Sequence, residues 1–173
     1  MSEQPRTPRP SANDLFAQLR FTADGLVPAI AQQFDTGEVL MMAWMSRESL
    51  AETLAGGRVV YWSRSRQCLW RKGDSSGNAQ LLKSCHFDCD GDTLLLLVDQ
   101  TGAACHEGTR SCFTRQMHSP DKTSCHDTLL LLVDQTGAAC HEDTRSCFTR
   151  QMHATDKTSR HDTLLPANIK AKQ

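Results

Sequence analysis

The 173-residue sequence contains few of the features that mark membrane, secreted or nucleic-acid-binding proteins. It has no apolar run long enough to span a bilayer and no apolar export-signal segment near Met1. Its formal net charge is only -1, with 19 basic and 20 acidic residues, which argues against a partner bound mainly through phosphate charge. The sequence therefore predicts a cytoplasmic protein that binds neither membrane nor nucleic acid.

Cysteine, by contrast, is abundant, with 8 residues. Since no export signal is visible, we expect metal ligation rather than a disulfide framework. Cys89, Cys105 and Cys112 are the candidate ligands, and His106 directly follows the second of them. Three thiolates suit zinc, and three protein ligands leave a fourth position open, as in catalytic rather than structural zinc sites.

Three carboxylates surround the first of these cysteines. Asp88, Asp90 and Asp92 alternate with Cys89 and Gly91. Carboxylates so close together repel one another unless a cation lies among them. Oxygen-only ligation suits a hard ion, so the trio predicts a magnesium site; the alternative is a solvated acidic turn.

Hydrophobic patterning predicts a mostly β protein with short helices. Helices are expected over 11–20 and 46–54, the second capped by Ser46 and ended by Gly56 and Gly57. Strands are expected over 26–34, 38–45, 58–63, 80–87 and 93–100, with a further short one over 113–117. The continuous apolar run from Leu94 to Val98 predicts a strand buried on both faces.

A basic loop is expected over 63–78, between the third and fourth of these strands. Its backbone amides around Gly73 and Gly77 are of the kind that can cradle a phosphate. The candidate substrate-binding residues in it are Arg64, Trp70, Lys72, Ser75 and Ser76. The alternative is a solvated basic loop with no ligand.

An internal repeat follows. Residues 92–118 recur as 127–153, and only Gly108 differs, being Asp143 in the second copy. A partial third copy begins at Asp162. The second copy keeps Cys140, His141 and Cys147 but has no counterpart of Asp88, Cys89 and Asp90, so we expect the first copy to be the functional one. The alternative is that Cys140 and Cys147 replace Cys105 and Cys112, if the second copy occupies the corresponding strand position.

The expected organisation is a disordered segment over 1–10, one domain over 11–118 and a non-catalytic duplicated tail over 119–173. Within that domain, the chain strongly resembles the phosphoribosyl-AMP cyclohydrolase family. The resemblance runs from about Leu26 to Arg115. It is carried by Val-Leu-Met-Met-Ala-Trp-Met (39–45), Tyr-Trp-Ser-Arg-Ser-Arg (61–66), Leu-Trp-Arg-Lys-Gly-Asp-Ser-Ser-Gly-Asn (69–78), Asp-Cys-Asp-Gly-Asp (88–92) and Ala-Cys-His-Glu-Gly-Thr-Arg-Ser-Cys-Phe (104–113).

The resemblance implies a hydrolase of histidine biosynthesis that opens the six-membered adenine ring of phosphoribosyl-AMP. It implies a small pseudo-barrel and an intertwined homodimer whose zinc is shared between subunits. Zinc would be held by Cys89 of one subunit with Cys105 and Cys112 of the other, and magnesium by the aspartate trio. The chain departs from the family pattern at Asp74, at Glu107 and in its duplicated tail.

The implied chemistry is attack on the ring by zinc-activated water. His106 is the candidate general acid/base, because its pKa is naturally near neutrality, although it could merely orient a zinc ligand. Arg64, Lys72 and the two serines would bind phosphate. Trp70 or Trp62 would stack on the purine; the alternative for Trp70 is that it simply covers the core. The competing hypotheses are a non-catalytic zinc-binding module and an inactive product of the duplication.

Overall fold

Seven strands form one mixed sheet in the residues that the computed structural model describes, 16–115 and 138–152. The sheet order is β4-β3-β2-β1-β6-β5-β7, with β1 and β6 parallel and every other pair antiparallel. The strands are β1 (Leu26–Gln33), β2 (Val39–Ser46), β3 (Val60–Ser63), β4 (Cys68–Arg71), β5 (Gln80–Phe87), β6 (Leu94–Gln100) and β7 (Arg150–Met152). The helix α1 (Arg47–Gly56) follows β2 directly, so the predicted mostly β fold is confirmed.

The first hairpin and the helix form where the sequence predicts them. Gly37 takes a φ of 75° in the turn between β1 and β2. The Ser46 hydroxyl accepts a hydrogen bond from the amide of Ser49 at 3.1 Å, which caps the start of α1. Gly57 ends the helix with a φ of 70°, and its amide donates to the carbonyl of Thr53 at 2.9 Å. No helix among the described residues is long and apolar enough to cross a membrane.

The hydrophobic core lies on one face of the central strands. Leu94, Leu96 and Val98 of β6 are fully buried, whereas Leu95 and Leu97 are only half-buried. The prediction that this strand is buried on both faces is therefore wrong. The leucines on its second face are covered only in part by the described residues. A continuous apolar run in the sequence does not reveal how far each face of the strand is covered.

The sheet also curls partway towards a barrel. The amide of Val59, just before β3, donates to the carbonyl of Gln80 at 2.9 Å, and the amide of Leu82 donates to the carbonyl of Gly57 at 2.7 Å. Beneath these bonds the Tyr61 hydroxyl donates to Gln80 Oε1 at 2.6 Å in the core. The curl brings β3 and β5 together although they are not neighbours in the sheet order.

Three sequence predictions differ from the structure or lie outside it. Part of the expected basic loop is strand β4, because Cys68–Arg71 pairs with β3 despite the loop's basic composition. Of the expected strand over 113–117, residues 113–115 form no strand and 116–117 lie outside the described residues. Of the expected helix over 11–20, residues 11–15 lie outside the described residues. The segment 1–10 and the tail residues 119–137 and 153–173 lie outside them as well.

Candidate metal centre

The turn between β5 and β6 is held by one aspartate. Oδ1 of Asp88 accepts hydrogen bonds from the amides of Asp92 at 3.0 Å and Thr93 at 3.2 Å. The amide of Asp88 in turn donates to the Thr93 carbonyl at 3.1 Å. Gly91 lies in this turn with a φ of 77°, and its carbonyl accepts from the amide of Arg20 at 2.7 Å. A Cβ at Gly91 would collide with the carbonyl oxygen of Gln18, so the turn requires glycine.

The aspartate trio converges in this turn, as the sequence predicts. Carboxylate oxygens of Asp88, Asp90 and Asp92 lie within 4.8 Å of one another. Burial raises the pKa of Asp88 above its usual value, and the neighbouring carboxyls of Asp92 and Asp90 raise it further, against a hydrogen bond from Thr93 that lowers it. The trio is therefore a group of three hard oxygen donors, and the Arg20 guanidinium lies 3.9 Å from Asp90.

A second group of ligands lies beside the trio, around Cys89. Ligand atoms of Cys89, Cys140 and His141 lie within 4.8 Å of one another, with 3.5 Å between Cys89 Sγ and His141 Nδ1. The thiol of Cys147 is near enough to those of Cys89 and Cys140 for the three to influence one another's pKa. Burial and these two neighbouring thiols raise the pKa of Cys89 to about 12. Sulfur and imidazole nitrogen are the donors that zinc prefers, so the side chains present fit a zinc ion.

Strand β7 brings the second copy of the repeat to this position. β7 pairs antiparallel with β5, so that Met152 lies opposite Cys85 and is buried. The Arg150 guanidinium donates to the Cys89 carbonyl at 2.9 Å and to the Glu142 carboxylate at 3.1 Å. One arginine thus connects the second copy to the backbone of the turn.

The first copy lies elsewhere. The amide of Cys112 donates to the carbonyl of Leu40 in β2 at 2.7 Å, and the thiols of Cys105 and Cys112 are near enough to influence each other's pKa. Among the described residues, neither cysteine joins a three-ligand group with Cys89. The predicted zinc set Cys89, Cys105 and Cys112, which the resemblance places across two subunits, therefore stays a prediction. His106 is exposed, and its role also stays a prediction.

Lys72 lies beneath the first-copy loop and not on an open surface. It is only 4% exposed, and its Nζ donates to the carbonyl of Ala103 at 3.3 Å. Burial lowers the pKa of Lys72, while the nearby Cys112 and Cys105 thiols oppose that shift. The position favours contact with the two thiols over contact with a phosphate in solvent.

The other candidate substrate residues lie on β4 or at the surface. Trp70 is half-buried against the core, with its ring centroid 5.6 Å from that of Tyr61. Arg64 lies over the ring of Trp44, at 4.9 Å from its centroid. Ser75 and Ser76 are exposed.

The backbone of the basic loop over 63–78 does not form the expected phosphate cradle at Gly77. The amide of Gly77 donates to the Gly73 carbonyl at 2.8 Å, and the amide of Asn78 donates to the Ser76 hydroxyl at 3.3 Å. These amides are therefore already used within the loop, because it closes on itself as a turn.

Sequence reasoning did not single out Arg150 and gave no role to His141. A signal for both was present, since the repeat spacing aligns Arg150 with Arg115 and His141 with His106. What the sequence could not show is which copy lies beside Cys89, because the two loops differ at a single residue, Gly108 or Asp143.

Comparisons with known proteins point to one family. The model of the phosphoribosyl-AMP cyclohydrolase family matches residues 41–114. The chain is 76% identical to a phosphoribosyl-AMP cyclohydrolase of Rhodospirillum centenum over 103 residues, which are 60% of this chain and 77% of the relative. It is 67% identical to that of Rhodospirillum rubrum over 103 residues, covering 60% of this chain and 72% of the relative. The corresponding protein of Hydrogenovibrio crunogenus is 64% identical over 101 residues, covering 58% and 69%.

Proposed function

Because the chain belongs to the phosphoribosyl-AMP cyclohydrolase family, hydrolases of histidine biosynthesis, we propose that it opens the adenine ring of phosphoribosyl-AMP at the ligand group around Cys89. The observation that supports this place is the convergence of Cys89, Cys140 and His141 within 4.8 Å, next to the aspartate trio. The sulfur and nitrogen donors around Cys89 and the oxygen donors of the trio suit two chemically different metal ions, which would lie side by side at one substrate.

Zinc is the ion that fits the first group. Cys89 and Cys140 would hold it together with His141, whose ligand atom converges with theirs, or with Cys147, whose thiol lies nearby. When bound, zinc acidifies water and so supplies a nucleophile at neutral pH for the ring carbon. The chain contributes the turn that fixes Cys89 and the strand that delivers the other ligands.

A proton must also reach the ring nitrogen that departs. A histidine next to the first thiol of the loop suits this step, since imidazole titrates near neutrality. His106 is our candidate by resemblance, and His141 occupies the same place in the second copy. Of the two, His141 is the one that contacts Cys89, at 3.5 Å, so it is placed for this step where Cys147 is the third zinc ligand.

Magnesium is our proposal for the trio of Asp88, Asp90 and Asp92, and donor chemistry alone supports it. The trio lies beside the thiols around Cys89, which is a suitable place for an ion that positions the substrate. Arg64, Ser75 and Ser76 remain exposed and accessible to phosphate, and Trp70 presents a half-buried ring to a purine. Lys72 would instead support the first-copy loop, because it is buried and its Nζ donates to the Ala103 carbonyl, near the two thiols that influence its pKa.

A homodimer is the assembly that the resemblance implies, and we propose it for the full enzyme. Val39 and Phe113 are 41% and 52% exposed and flank Ser111, whose hydroxyl donates to the Val39 carbonyl and accepts from the Phe113 amide. Large apolar side chains beside the first-copy loop are of the kind that a second subunit covers.

Removal of metal tests the proposed function. We expect purified protein to hydrolyse phosphoribosyl-AMP, to lose this activity after treatment with a zinc chelator, and to regain it on addition of about one equivalent of zinc per chain. The measurement is the change in ultraviolet absorbance as the adenine ring opens, with metal content determined on the same samples. Turnover that persists after the zinc has been removed would contradict the proposal, and zinc without turnover would favour a non-catalytic module.

A further inference from the structure

One stretch of sequence occurs twice in this chain and docks in two different places. The first copy is held against β2, where Arg110 contacts Glu38 at 2.9 Å and Cys112 bonds the backbone of Leu40. The second copy is held against β5 and the Asp88–Asp92 turn, through β7 and Arg150. The two positions use different surfaces of the same sheet.

The loop keeps most of its internal hydrogen bonds in both positions, although the amide of Ala104 donates to the Arg110 carbonyl and that of Ala139 to the Thr144 carbonyl. The amides of Cys105 and Cys140 each donate to a threonine carbonyl four residues on, at 3.1 Å in both copies. The Thr109 and Thr144 hydroxyls each donate to a serine carbonyl at 2.8 Å. Gly108 and its replacement Asp143 both take positive φ, 82° and 58°. The internal hydrogen bonds of the loop are therefore largely independent of the surface on which it docks.

We propose that the second copy completes the zinc site within a single chain, so that a monomer holds zinc through Cys89, Cys140 and a third ligand, Cys147 or His141. This inference rests on the zinc site of the proposed function and concerns which loop supplies its ligands. A first-copy loop from another molecule is nearly the same in sequence and is the competitor for this position. Covalent attachment favours the loop of the same chain, because intramolecular docking has an effective concentration of about millimolar for short linkers.

Two contacts fix the second copy in this position. Met152 is 2% exposed, and its sulfur lies 3.8 Å from that of Cys85, so the end of β7 is part of the core. Arg150 binds the Cys89 carbonyl, which couples docking of the strand to the position of the ligand. The matching Arg115 of the first copy is 89% exposed in its side chain and contacts only Glu107 among the ion pairs of the described residues, at 3.7 Å. Arg115 is therefore a natural control for Arg150.

Native mass spectrometry of the full chain, loaded with zinc and diluted from about micromolar to about nanomolar concentration, tests the inference. We expect one zinc per chain on the species of monomer mass, with an occupancy that does not change on dilution. The double variant C140S/C147S should lose zinc from the monomer, whereas C105S/C112S should retain it. Zinc found only on the dimer, or retained by the C140S/C147S monomer, would overturn the inference.

A second pair of variants covers the case in which a cysteine variant fails to fold. R150A should weaken zinc binding by the monomer about tenfold, as loss of a group that orients a ligand does, and R115A should leave it unchanged. Equal effects of the two changes would also overturn the inference. Turnover measured on the same samples separates the two proposals: zinc-loaded monomer without turnover contradicts the proposed function only, and turnover with zinc on the dimer alone contradicts this inference only.

Discussion

Replacing Cys89 with serine is expected to remove zinc from the protein and to lower kcat/KM for phosphoribosyl-AMP by about 1000-fold or more. Serine keeps the size of the side chain but replaces a soft thiolate with a hydroxyl that zinc binds poorly. Cys89 is the one ligand of the group that does not belong to the repeat, so no second copy can take its place. Loss of several kcal/mol of transition-state stabilisation by the metal corresponds to a rate effect of this order.

The matched control is Cys68→Ser. Cys68 is an exposed thiol at the start of β4 and has no part in either metal group among the described residues. We expect it to change neither zinc content nor kcat/KM, since exposed substitutions away from special features alter stability by only about 0.5 kcal/mol. A Cys89→Ser protein that keeps its zinc and its rate would show that the metal lies elsewhere.

Replacing Asp88 with asparagine is the second change for which we expect a large effect, a loss of about 100-fold in kcat/KM at unchanged fold. The asparagine carbonyl can still accept hydrogen bonds from the amides of Asp92 and Thr93, so the turn should persist. What is lost is one charge of the trio, and with it the position of the cation and of the substrate that it holds. Steady-state kinetics at several magnesium concentrations measures this, and we expect the magnesium requirement to rise.

The control for this change is Asp99→Asn. Asp99 pairs with Lys83 at 3.2 Å on the surface and lies at the opposite end of β6 from the turn. Exposed ion pairs contribute about 0–1 kcal/mol, so this variant should retain its activity and its magnesium dependence. If Asp88→Asn and Asp99→Asn behave alike, the aspartate trio has no catalytic role.

Much of the sheet could be predicted because local signals agree with the global fold. The Ser46 cap and the glycine at position 57 mark both ends of α1, and turn residues separate β1 from β2 and β5 from β6. Strand β4 was missed since its four residues lie within a basic, glycine-containing stretch and are stabilised by pairing with β3. Pairing across the sheet is a long-range interaction that local composition does not report.

Only the part of the site that lies largely outside the repeated sequence could be predicted. Asp88, Asp90 and Asp92 are neighbours in sequence, so a turn is enough to bring their oxygens together. The ligands beside Cys89 come from more than fifty residues away, and Cys105 and Cys140 have nearly the same local sequence. Which copy lies beside Cys89 depends on the strand register and on where the loop docks. A strand whose sequence fits two positions is specified only weakly by its own hydrophobic pattern.

Zinc anomalous diffraction from crystals of the zinc-loaded chain tests the central claim most directly, because it locates the ion and its ligands together. We expect one peak per chain at about 2.3 Å from the sulfur of Cys89 and from that of Cys140 in the same chain, with Cys147 or His141 as a further ligand. A peak bonded to Cys105 and Cys112, or one that does not contact Cys89, would contradict it.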